Sequence, residues 1–123
     1  MIRLVTPTTD AKRLNKILLN ATGFVYYVSI TGVTGTQSPN LKNVSTNLKK
    51  IRSVTKLPVV IGFGIRSPDQ ALSMANISDG IVVGSAVVDL IKSSLGNNDN
   101  KTKHSLDSCL DFISKVSKKI KHN

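Results

Sequence analysis

"LPVVIGFGIRSPDQA" occupies residues 57–71, and its reading decides the fold. A short run of apolar, β-branched residues stops at Gly62-Phe63-Gly64. A helix start follows almost at once. Ser67 suits the N-cap, Pro68 the first helical position, and Asp69 the first turn, where a carboxylate offsets the helix dipole. Strand, glycine turn and helix make one βα unit. "DGIVVGSAVVDLI" (79–91) repeats the arrangement with Gly84-Ser85 at the turn.

Working outward, "IRLVTP" (2–7) reads as a strand that ends at Pro7. Thr8, Thr9 and Asp10 offer caps for a helix with Leu14, Ile17, Leu18 and Ala21 on one face. "FVYYVS" (24–29) is a second strand, and its near-continuous apolar run predicts burial on both faces. After the Gly-rich "ITGVTGTQSPN" (30–40), Leu41, Val44, Leu48, Ile51 and Val54 recur at helical spacing. "PVVIG" (58–62) and "GIVVG" (80–84) are the third and fourth strands. "SAVVDLIKSSL" (85–95) is a short helix that Gly96 ends. The polar stretch "GNNDNKTKH" (96–104) reads as a loop. It leads into a last helix predicted to turn Leu106, Leu110, Ile113, Val116 and Ile120 inward. A βα unit repeated in this way predicts an α/β fold with parallel strands and right-handed crossovers. Element order leaves two arrangements open: a doubly wound sheet, or part of a (βα) barrel.

Composition narrows the partners. At 123 residues and 40% apolar, the chain suits one domain with a core. Its apolar runs are strand-sized, so no membrane span is expected, and no long apolar h-region follows Met1. Cys109 is the single cysteine, which excludes a disulfide framework or a thiolate metal cluster and favours a reducing compartment. His104 and His122 read as surface residues. The net charge is +10, yet 7 of the 17 basic residues fall between Lys92 and Lys121. The few aromatics do not alternate with them, so no nucleic-acid surface is expected. Abundant Lys, Asn and Ile suit an AT-rich coding sequence. All seven acidic residues are Asp; the chain has no Glu.

In βα folds function sits at the carboxyl ends of the strands. Here those ends carry Thr6-Pro7-Thr8, residues 29–36, Gly62-Phe63-Gly64 and Gly84-Ser85. Glycine lets the backbone take positive φ and bring its N–H close to a ligand. Ser85 stands at a helix N-terminus, which favours an anion. Gly35, Gly64, Gly84 and Ser85 are therefore expected to converge on one phosphate. The G-F-G is no dinucleotide fingerprint, since a third glycine and a following strand-end acid are missing. Asp79 precedes its strand and belongs to the opposite, structural end. Asp10 and Asp69 read as helix-start residues.

At this point the residues match a family. "GFVYYVSITGVTG" (23–35), "LPVVIGFGIRSPDQA", "SDGIVVGSAVV" (78–88) and "LVTPTTD" (4–10) resemble the tryptophan synthase alpha subunit, in order, from residue 2 to about 95. The resemblance implies a (βα)₈ TIM barrel acting in tryptophan biosynthesis. Such a barrel cleaves indole-3-glycerol phosphate, by a retro-aldol reaction, to indole and glyceraldehyde 3-phosphate. It implies a beta-subunit partner in an alpha2beta2 heterotetramer. The beta subunit holds the pyridoxal phosphate, and the alpha subunit needs no cofactor or metal. By the same resemblance Gly35, Gly64, Gly84 and Ser85 hold the substrate phosphate and Phe63 lines the indole pocket. Tyr26 supports the catalytic carboxylates. Thr34 closes over the site and positions the catalytic Asp, within a lid over residues 31–40 that Gly32 and Gly35 allow to move.

The fold runs to about 250 residues, and this chain resembles only strands five to eight. It is thus expected to be one partial TIM-barrel domain over residues 1–123. The reaction needs an acid to protonate indole C3 and a base to take the glycerol hydroxyl proton. The family supplies a Glu on strand two and an Asp in the following loop, and neither region is matched here. The expectation is therefore a fragment with Met1 internal, catalytic carboxylates upstream, and phosphate binding without catalysis in this segment. A split-gene product and an engineered half barrel are the rarer accounts. Competing readings are another phosphate-sugar (βα)₈ enzyme, such as an isomerase or epimerase, and a non-catalytic anion-binding half barrel. The expected location is the plastid, plastid-encoded, with the bacterial cytoplasm as the alternative.

Overall fold

The helix starts are set by local capping. Asp10 accepts from the Arg13 amide at 2.8 Å and opens α1 (Ala11–Leu18). Asn40 accepts from the Lys42 amide at 3.0 Å and opens α2 (Leu41–Arg52). Ser67 accepts from the Gln70 amide at 3.2 Å and opens α3 (Pro68–Ala75), with Pro68 and Asp69 in its first turn. Gln70 Oε1 in turn accepts from the Arg66 amide at 2.8 Å, tying the residue before the cap to the first turn. Thr9 is no cap. Its hydroxyl accepts from the Thr6 amide and turns the chain after the first strand.

A computed structural model of the chain describes residues 1–29, 40–62, 64–94 and 101–121. The strands are β1 (Arg3–Val5), β2 (Val25–Val28), β3 (Val59–Gly62) and β4 (Gly80–Val82). The remaining helices are α4 (Ser85–Ser94) and α5 (Lys101–Lys121). The strands form one sheet in the order β1-β2-β3-β4, every pair parallel. This is the predicted succession of βα units with a terminal helix.

The register divides the sheet into two faces. Val5, Tyr27, Ile61 and Ile81 share a row on one face, with Val25 and Val59 beside them. This face meets the helices. Val25, Tyr27, Val59 and Ile61 are no more than 1% exposed, and they pack with Leu14, Leu18, Val44, Leu48, Ile51, Ala71 and Met74. Leu4, Tyr26, Val60 and Gly80 share a row on the other face, where Leu4 is 63% exposed. The prediction that β2 is buried on both faces is therefore corrected. Val25 and Tyr27 are buried while Tyr26 and Val28 are half-buried, because helices cover one face only.

Two further readings are corrected at the C-terminal end. Residues 101–104, read as loop, belong to α5. Leu106, Leu110 and Ile113 do not turn inward; they are 59%, 55% and 51% exposed. The inward stripe is Cys109, Phe112, Val116 and Ile120, rotated about one residue round the helix. The sequence carries both stripes at helical spacing, and spacing alone cannot rank them. Packing against α3 and α4 selects the inward stripe, and on the same side Lys119 reaches Asp69 of α3 at 2.8 Å. The predicted stop at Gly96 lies outside the described residues.

Candidate functional site

Parallel strands bring their carboxyl ends to one rim. Gly62 of β3 is in register with Val82 of β4. Gly64 and Gly84 each lie two residues beyond that pair, at one level on neighbouring strands. Gly64 has φ +78°, the left-handed region that a side chain disfavours. The Gly84 carbonyl accepts from the Val87 and Val88 amides at 3.0 and 3.1 Å, which makes Gly84 the N-cap of α4. The first amides of that helix, from Ser85 onward, have no partner within it. Its first turn carries no acidic side chain.

Space accompanies the donors. Gly84 and Ser85 are exposed, and a Cβ built on Gly84 meets nothing within 4 Å. Open room, unspent N–H groups and the positive end of a helix dipole make an anion the ligand this corner can hold.

Tyr26 reaches the same rim from β2. It pairs with Val60, and its ring leans along β3 toward Gly62. A Cβ on Gly62 would lie 1.9 Å from the Tyr26 hydroxyl oxygen and 2.4 Å from Cζ. The phenol end of the ring therefore lies over Gly62, two residues before Gly64. The sequence reading ends the third strand at Gly62 and gives that glycine no role of its own. The available signal was a glycine inside a strand with an aromatic on the next strand, a mark of close approach.

Tyr27 faces the other way. Its hydroxyl accepts from Asn47 Nδ2 at 3.0 Å between sheet and helices, and burial pushes that phenol above its usual range. Asp79 lies at the opposite end of the sheet, as read. Its carboxylate accepts from the Val59 amide at 2.8 Å and from Arg52 at 3.1 Å. The backbone hydrogen bond, followed by Arg52, holds it below the usual carboxylate range.

The structure thus sets Tyr26 against Gly62 and places Gly64, Gly84 and Ser85 just past the carboxyl ends of β3 and β4. Thr34, Gly35 and Phe63 lie outside the described residues, as do residues 31–39 of the expected lid. Among the described residues no group of three or more His, Cys, Asp or Glu could hold a metal ion. No described helix is long and apolar enough to cross a membrane.

Comparison with known proteins points the same way. Residues 1–119 match the family described as tryptophan synthase alpha chain. The tryptophan synthase alpha chain of Erythrobacter litoralis is 53% identical over 90 residues, covering 73% of this chain and 35% of that protein. That of Caulobacter vibrioides is 48% identical over 103 residues, covering 84% of this chain and 38% of its own length. The chain therefore spans well under half the length of these curated relatives. Among solved structures, tryptophan synthase subunit alpha from Legionella pneumophila superposes with a TM-score of 0.80 at 30% identity, covering 99% of this chain and 42% of that one. The Campylobacter jejuni subunit gives 0.74 at 34% identity, covering 94% and 43%. These neighbours are TIM barrels, and the sheet described above corresponds to part of one. All four relatives are bacterial.

Proposed function

The chain belongs to the tryptophan synthase alpha chain family, and we propose that its four βα units are the phosphate-holding half of that barrel. In this reading the complete subunit cleaves indole-3-glycerol phosphate to indole and glyceraldehyde 3-phosphate. A base takes the glycerol hydroxyl proton and an acid protonates indole C3. The carbon–carbon bond between them breaks, and its electrons return to the indole ring.

The observation that carries the reading is the corner at Gly64, Gly84 and Ser85. A left-handed glycine and a helix N-terminus stand level on adjacent parallel strands. In TIM barrels a phosphate commonly binds between the last two βα loops and a short helix N-terminus. Gly35, from the preceding loop, would complete the cradle. Phe63 and Thr34 would face the indole end and the lid, and Tyr26 would support the carboxylates from the rim. Those carboxylates, a Glu and an Asp, belong to the part of the barrel that this chain does not match. This segment alone therefore binds and does not catalyse. Alpha chains of the family carry no cofactor; pyridoxal phosphate belongs to the beta subunit, the partner to which indole would pass. The bacterial relatives favour the bacterial cytoplasm as the setting.

The test is titration of the ¹⁵N-labelled chain with inorganic phosphate and with indole-3-glycerol phosphate. Amide shifts are expected at Gly64, Gly84 and Ser85. Gly84→Asp should fold normally, because its Cβ meets nothing within 4 Å. It should lose those shifts, because a carboxylate then faces the phosphate. Shifts spread over the lysines of α5, steeply salt-dependent and indifferent to Gly84→Asp, would instead support a basic anion-binding module.

A further inference from the structure

A cleft of about 280 Å³ opens between α1 and α2, on the helix side of the sheet. Its walls come from two consecutive βα units, β1–α1 and β2–α2, so it owes nothing to what lies beyond β1 or β4. Val5, Leu14 and Ile51 give it an apolar floor, and each is no more than 5% exposed. Tyr27 of β2 and Asn47 of α2 bring polar groups to that floor.

These polar groups are only half used. Tyr27 is 1% exposed, and its hydroxyl accepts from Asn47 Nδ2 at 3.0 Å. The hydroxyl's own proton has no acceptor among the described residues, and Asn47 Oδ1 has no donor among them. A donor and an acceptor thus stand side by side in a largely apolar cleft, where an unpaired polar group is costly. Burial holds the phenol above its usual range, so it stays a donor at neutral pH. Lys50 and Asp10 also line the cleft, and Lys50 makes no ion pair among the described residues. Their opposite charges leave the cleft with no net preference for an anion or a cation.

We propose that this cleft is a binding site distinct from the phosphate corner, and that it takes a small, neutral aromatic carboxamide. The Tyr27 hydroxyl donates to the ligand's carbonyl, and the ligand's N–H donates to Asn47 Oδ1. With the Asn47–Tyr27 bond already present, these close a ring of hydrogen bonds. The aromatic ring lies against Val5, Leu14 and Ile51. A cavity of about 150 Å³ admits one benzene ring, so this cleft has room for a ring and an amide group. A carboxylate in place of the amide brings no N–H for Asn47 Oδ1 and sets its charge in a cleft that Asp10 lines. A hydrocarbon of the same shape strips water from both polar groups and pairs neither. The proposal does not rest on the phosphate reading, since the two sites share no residue.

The test is titration of the ¹⁵N-labelled chain with benzamide, benzoate and toluene in turn. Saturable benzamide shifts are expected at the amides of Leu14, Asn47, Lys50 and Ile51, with Gly64, Gly84 and Ser85 unmoved. Benzamide should bind about fivefold more tightly than benzoate or toluene, the worth of a net hydrogen bond. Tyr27→Phe removes the donor and should weaken benzamide by about the same factor while leaving toluene unchanged. Asn47→Ala, on a half-buried position of α2, removes the acceptor and should do likewise, and circular dichroism checks that each variant keeps its helices. Benzamide shifts that do not saturate overturn the proposal, and so do shifts confined to the rim glycines. So does benzamide binding indifferent to both variants. Toluene or benzoate matching benzamide overturns the carboxamide assignment.

Discussion

Gly62→Ala isolates the contact that seats Tyr26. The added methyl would stand 1.9 Å from the phenol oxygen, 2.4 Å from Cζ and 3.1 Å from Cε1. The first two are closer than side-chain contacts come and the third is tight, so the whole end of the ring is involved rather than one flexible atom. Either the ring swings off β3 or the strand shifts. Overpacking of this kind costs about 1–3 kcal/mol, and a ring forced off its rotamer contributes about 0.5–1.5 kcal/mol of that. Tyr26 is only half-buried, so the ring has somewhere to go. A value near the middle, about 2 kcal/mol, is expected. For a chain of this size that is roughly 6–12 °C in Tm.

A double-mutant cycle separates this clash from a general intolerance of β3. Tyr26→Leu alone removes the ring and should cost about 1 kcal/mol, since little of its surface is fully buried. In that background Gly62→Ala should be neutral or slightly stabilising, because a strand alanine is stiffer than a strand glycine by about 0.5 kcal/mol. The coupling energy should approach 2 kcal/mol, within the range seen for residues in contact, roughly 0.5–3 kcal/mol. Urea unfolding followed by circular dichroism, at one fixed protein concentration, reads all four corners. Equal costs of Gly62→Ala in both backgrounds would refute the reasoning, as would a cost below about 0.5 kcal/mol in the parent chain.

Two other predictions bear on the frame. Asp79 is held below its ordinary range in the folded chain, so its contribution is complete above the unfolded carboxylate value, near 3.9. It should be lost as pH falls through the lower folded value, and Asp79→Asn should flatten the acid limb of a Tm-against-pH curve. Ser67→Ala removes the acceptor for the Gln70 amide and should lower stability by about 1 kcal/mol in urea unfolding.

The sequence was most legible where local chemistry dictates local structure. Ser67-Pro68-Asp69 start α3 as read, since a cap, a ring-fixed φ and a first-turn carboxylate need nothing from the rest of the chain. Of the stripe Leu41, Val44, Leu48, Ile51 and Val54, the middle three are buried as read, while Leu41 and Val54 at its ends are exposed. What failed depends on neighbours. Two apolar stripes run along α5, and only the packing of α3 and α4 against it selects Cys109, Phe112, Val116 and Ile120. The run 24–29 encodes burial on two faces, but the described helices cover only one. At the rim, the Gly64 turn was legible because a positive φ favours glycine. The Tyr26–Gly62 contact was not, because it joins two strands separated by a helix.

The separation of binding from chemistry in the proposed function follows from which atoms do each. The anion corner is built from backbone: the amides at the start of α4 and the left-handed turn at Gly64. Such donors exist wherever the βα units fold, whatever the side chains, so half a barrel retains them. Acid–base work needs carboxyl side chains aimed at the reacting carbon. Here Asp10 caps a helix and Asp79 anchors the far end of β3, while Asp69 pairs with Lys119. These carboxylates are already engaged in holding the frame. In the proposed function these units hold the phosphate, while bond cleavage uses groups brought by the rest of the barrel.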